Sequence, residues 1–108
     1  MGDYNRDYYK GLDMIVEERM RQPDELGYTL QHDDEEHSFE ELLRIGACYV
    51  DYAANDAEGM GQDSPHPFWP DTSIPWKPEE SSMENAVKGA AFVAAALDLM
   101  QYQLFGGR

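Results

Sequence analysis

The chain has 108 residues, 22 of them acidic and 8 basic, for a formal net charge of -14 at pH 7. A field of that sign repels nucleic acid and anionic membrane surfaces and attracts basic protein surfaces, which argues against direct nucleic-acid binding and against a membrane role. Hydrophobic residues make up 42%, with seven Tyr, four Phe and two Trp, too apolar for a disordered acidic tail and consistent with one domain over residues 1–108.

The opening "MGDYNRDYYK" has no apolar core of the kind a secretion leader needs. "MGDYNR" also lacks the Ser or Thr that a myristoylation signal carries at its sixth position. The longest apolar run, "GAAFVAAAL", is too short to span a membrane. A first helix is predicted over 6–21. Tyr8, Leu12, Ile15, Val16 and Met20 fall on one stripe at spacings of three and four, with Asp13, Glu17, Glu18 and Arg21 on other faces. Pro23 is expected to end it.

"PDELGYTLQHDDEEH" (23–37) then reads as an acidic, irregular connection. A second long helix is predicted to begin at "SFEE" and run to about 54. Ser38 can cap it and Glu41, three residues on, can return the bond as a capping box. Phe39, Leu42, Leu43, Gly46, Tyr49, Val50 and Ala53 mark its buried face. Cys48 lies within this run, in "RIGACYVDYA", and reads as a packed thiol rather than a nucleophile. As the single cysteine it cannot form an internal disulfide, and a cytoplasmic setting is expected.

Residues 55–81 form a long connection, a length that in compact domains usually marks function or disorder. Its first half, 55–64, reads as flexible. Its second holds "HPFWPDTSIPWKP" (66–78), with both tryptophans and four of the six prolines. Prolines fix their own backbone angle and push the preceding residue toward extended geometry, so this half is expected to be a stiff strap laid across the helices.

The third long helix begins at "SSMEN", where Ser81 and Glu84 offer a second capping box, and runs to about 104, before the glycines of "FGG". Ala86, Ala90 and Ala94, beside Gly89, Val93 and Ala96, give it two faces of small residues. Small side chains let another backbone approach closely, within the chain or across a symmetry axis. The expected fold is therefore an all-α domain of three helices, with room for a short extra one, covered by a Pro/Trp-rich strap and forming a homo-oligomer.

"IVEERMRQ", "GYTLQHDDEEH", "FEELLRIGACYVDYA", "FWPDTSIPWKP" and "MENAVKGAAFVAAALDLM" together resemble a group of small accessory proteins of tailed phages and prophages. Their pattern combines an ERxRQ helix, a "GW…HDD" turn, a "WPW…WKP" loop and a last helix reading like "LxKAGALIxAEIxRL". The resemblance spans about residues 14 to 100. It is carried most specifically by Glu18, Arg19, Arg21 and Gln22; by His32, Asp33 and Asp34; by Trp69, Pro70, Trp76, Lys77 and Pro78; and by Lys88, Gly89 and Ala90. Tyr28 stands where Trp is usual, "WPDTSIPW" is longer than the compact form, and "AAALDL" replaces a more acidic "AEIxRL". The resemblance implies a phage accessory role in the cytoplasm of an infected bacterium, directed against host antiviral defence.

Three constellations could carry chemistry. "QHDDEEH" offers His32, Asp33 and His37 as metal ligands if the segment turns, with Asp51 and His66 as distant partners, but it matches no standard zinc or calcium spacing. Its plainer reading is a solvated acidic turn. "EERMR" and "EELLR" resemble the EExxE pairs of all-helical nucleotide pyrophosphohydrolases, yet Arg takes the place of the third acid and only Asp98 follows on the last helix. A metal-dependent nucleotide hydrolase is therefore the weakest alternative, no cofactor is expected, and a non-enzymatic protein is the main reading.

The third constellation is cationic. Arg19, Arg21, Arg44, Lys77 and Lys88 could be structural ion pairs, or could grip a phosphate while Trp69, Trp76, Phe68 or Tyr28 stack on a base. The leading expectation is a binding protein that sequesters a nucleotide-derived signal, with Trp69, Trp76, Lys77, Arg19, Arg44, Lys88 and Tyr28 as candidate ligand residues. The alternative is an acidic protein–protein inhibitor whose charges mimic DNA toward a host defence protein.

Overall fold

The structure, a computed structural model, describes residues 8–26, 30–55 and 67–105. Among them the regular structure is all-α, in four helices: α1 (Lys10–Leu26), α2 (Leu30–Glu36), α3 (Phe39–Asn55) and α4 (Ser82–Phe105). Both expected N-caps form. The Glu41 amide donates to Ser38 Oγ at 3.1 Å and the Ser38 amide returns to Glu41 Oε1 at 3.4 Å. At α4 the Glu84 amide donates to Ser81 Oγ at 3.1 Å, and that hydroxyl donates to Glu84 Oε1 at 3.0 Å.

Three features differ from the sequence expectation, the first being that α1 begins at Lys10 rather than at residue 6, which leaves Tyr8 outside the helix and exposed. α1 does not stop at Pro23 but continues to Leu26. A proline removes one i→i−4 bond, and close to a C-terminus the helix can absorb that single loss. The acidic stretch expected to be irregular contains α2. Gln31 Nε2 donates to Glu35 Oε1 at 3.1 Å along it, and the His37 amide closes its end on the Asp33 carbonyl at 2.9 Å. Asp33 is buried, and Gln103 of α4 donates to Asp34 Oδ1 at 2.9 Å, so tertiary contacts hold this polar turn in place.

α4 carries the main contacts with each of the other three helices, and α3 is its principal partner. The reason lies in Gly46 and Gly89. A Cβ added to either would stand 2.7 Å from the carbonyl oxygen of the other, so the two backbones touch. Of the two small-residue faces of α4, the one with Gly89 and Val93 is thus taken up within the chain. Around this crossing the core comprises Leu42, Ile45 and Tyr49 of α3, Phe92, Ala95, Ala96 and Leu99 of α4, and Ile74 from the connection between them. Trp69 and Trp76 pack against that core from outside. Among the described residues no helix is long and apolar enough to cross a membrane.

Candidate functional site

Tyr49 organises the tryptophan segment. Its ring is 1% exposed and lies between Phe92, stacked at 5.9 Å, and Trp76, stacked at 4.8 Å with an interplanar angle of 23°. Trp69 meets Tyr49 edge-on at 5.7 Å and Trp76 at 5.2 Å, and Tyr52 closes on Trp76 edge-on at 5.2 Å. Such geometries stabilise aromatic pairs beyond the area they bury. The Lys77 amide donates to the Tyr49 hydroxyl at 2.9 Å, fixing the strap to α3. Burial pushes the Tyr49 hydroxyl up to about 12, against the smaller opposing effect of that hydrogen bond. The indole N–H of Trp76 and the Tyr52 hydroxyl are buried without a hydrogen-bond partner among the described residues.

Each end of this segment is tied by one polar side chain. Glu41 accepts from the Thr72 hydroxyl, stands 2.7 Å from His37 Nδ1, and closes the α3 cap. The Thr72 oxygen in turn accepts from the Ile74 amide at 3.1 Å, so one carboxylate joins the end of α2, the start of α3 and the strap. At the other end Asn85 is fully buried. It accepts from the Glu79 amide at 2.7 Å and donates to the carbonyls of Glu79 at 3.1 Å and Ser81 at 3.0 Å. Neither residue stands out in the sequence for this role. Ser38-x-x-Glu41 signals a cap, but nothing local announces partners in the strap.

The candidate cations do not gather around the tryptophans. Lys88 does reach the strap: its ammonium donates to the Lys77 carbonyl at 2.6 Å and to Glu79 Oε2 at 2.9 Å, and sits 4.9 Å from the Tyr49 ring centre. Arg19 is paired across helices with Asp98, through Nε at 3.2 Å and Nη2 at 3.1 Å. Arg21 is paired with Glu18 at 2.6 and 2.7 Å. Lys77 is exposed, and its backbone rather than its ammonium makes the strap contacts. Arg44 is exposed and lines a separate hollow of about 280 Å³ with Ala47, Cys48, Asp51 and Phe68. Burial, then Asp51, push the Cys48 thiol up against the pull of Arg44, the environment of an inert thiol. Tyr28 and His66 lie outside the described residues.

Of the acidic candidates, Asp33 is buried and His37 is engaged by Glu41, while the His32 side chain lies outside the described residues. Among the described residues no three His, Cys, Asp or Glu side chains are placed together to hold a metal ion.

Another open feature lies where α4 faces α1. A cleft of about 360 Å³ separates α1 from the start of α4, lined by Met14, Glu17, Glu18, Arg21, Glu79, Met83, Glu84, Val87 and Lys88. On α1 the four lining residues follow the i, i+3, i+4, i+7 spacing of one helical face. Four carboxylates face one guanidinium and one ammonium, leaving a local charge of about −2. Met14, Met83 and Val87 supply the apolar surface, and Met83 is 63% exposed. The sequence reading did not single out this cleft, because its walls are about 65 residues apart in the chain.

Comparison with models of protein families, with curated proteins and with solved structures finds no match to this chain. The likeness to tailed-phage accessory proteins therefore rests on the sequence motifs alone.

Proposed function

We propose that this chain is a non-enzymatic binding protein that engages a basic surface of a partner protein through its acidic exterior. The observation that carries the reading is a contrast in engagement. Trp69 and Trp76 are packed on Tyr49, and Lys88, Arg19 and Arg21 are held by acidic partners, whereas the α1–α4 cleft is open and acidic. A net charge of -14 adds long-range attraction to any basic partner. Set beside the resemblance to phage accessory proteins, the partner class is a host defence protein that normally holds DNA, which this chain mimics by charge.

The test is equilibrium binding to a lysine-rich peptide and, separately, to a panel of nucleoside triphosphates and cyclic dinucleotides. Peptide affinity is expected to fall steeply as salt rises, and charge reversals on α1 and α4 to act cumulatively. Tight binding of a nucleotide that Trp69→Ala or Arg44→Ala alone abolishes would overturn this reading in favour of nucleotide sequestration.

A further inference from the structure

Resting on that reading, we infer that the α1–α4 cleft seats one helical segment of the partner, basic along its flanks and apolar at the residue that enters between Met14 and Met83. Three features of the cleft define this occupant. Its walls are α1 and the first turns of α4, with Glu79 at one end, and a groove between two helices is the geometry in which an amphipathic helix lays its apolar face. Its apolar lining includes two methionines, flexible and polarisable side chains that repack around differently shaped anchors. At about 360 Å³ it has room for one or two anchoring side chains, while the rest of the segment stays on the rim.

The charges select the flanks. Glu18 is held by Arg21 and Glu79 by Lys88, so those two carboxylates are already balanced. Glu17 and Glu84 carry the excess, one on each wall, and Glu84 accepts from the Ser81 hydroxyl, a neutral partner. No three carboxylates converge on a point among the described residues. Separated charges of this kind match cations spaced along a chain better than a single compact ion.

The experiment uses the full chain labelled with ¹³C at its methionine methyls. Its probe is a synthetic lysine–leucine peptide with leucines at i, i+3, i+4 and i+7, compared with a permuted peptide of the same composition. The patterned peptide is expected to shift Met14 and Met83 at concentrations that leave Met20 unmoved. Met20 is 64% exposed on α1 outside the cleft, so its methyl reports general surface association. The patterned peptide is expected to bind about tenfold more tightly than the permuted one, and Met83→Ala to remove most of that preference. Equal affinity for the two peptides, or shifts spread alike over Met14, Met20 and Met83, overturns the cleft assignment while leaving the acidic-surface reading standing. Absence of binding by either peptide overturns both.

Discussion

The two sides of α4 are built on opposite principles. Toward α3 and the strap, Gly89 lets the backbones touch, Phe92 stacks on Tyr49, and Asn85 satisfies both backbone groups of Glu79. Toward α1, Met83 and Val87 face Met14, Glu17, Glu18 and Arg21 across open space, with Lys88, already bound to the strap, at the border. The residues that look most like binding equipment, two tryptophans beside a lysine, lie on the packed side. The less conspicuous methionines and glutamates line the open one. An exposed methionine among carboxylates points to a partner more directly than a tryptophan whose ring is already stacked.

This contrast can be broken most sharply at the helix crossing. Gly89→Val forces a side chain against the Gly46 carbonyl and the side chains of Val50 and Tyr49, where no flexible end can move aside. A loss of about 3–5 kcal/mol is expected in urea unfolding, with the α1–α4 cleft lost as α4 shifts. Asn85→Ala comes next. It leaves the part-buried Glu79 amide without this acceptor, and a loss of about 1–2 kcal/mol is expected, together with faster hydrogen exchange at that amide.

Tyr49→Phe is smaller and more informative. At neutral pH it removes the acceptor of the Lys77 amide and should cost about 1 kcal/mol. In alkali the sign is fixed by linkage. The hydroxyl is raised from 10.0 to about 12 on folding, so between those values the unfolded chain releases a proton that the folded chain keeps. Stability from this group is complete below pH 10 and falls as pH rises through that window, by at most about 1.4 kcal/mol per pH unit. Unfolding of the wild-type chain and of Tyr49→Phe over this range should show a shallower fall in the variant.

Much of the architecture was legible from the residues. The two capping boxes and the 3.6-residue stripes locate α3 and α4 because they are local signals, formed by residues three or four apart. The small-residue face of α4 also announced a close neighbour. Only the structure identifies that neighbour as α3, through Gly46. What was not legible depends on distant contacts. α2 is a short polar run that becomes helical with Asp33 buried and Asp34 held by Gln103 of α4. Glu41 and Asn85 anchor the strap through partners that no periodicity reveals. The cleft joins Met14 to Met83, which only the packing of α1 on α4 brings together.

The central claim is that the tryptophan segment belongs to the core and the α1–α4 cleft to the free surface. Parallel urea unfolding of Trp76→Ala and Met83→Ala tests it most directly. The account predicts a loss of about 3 kcal/mol for Trp76→Ala, since its ring is stacked on Tyr49 and edge-on to Trp69 and Tyr52. For Met83→Ala it predicts a change within about 0.5 kcal/mol. Equal, small losses for both would contradict it, because the strap would then add nothing to the core and its tryptophans would be free to form a binding wall.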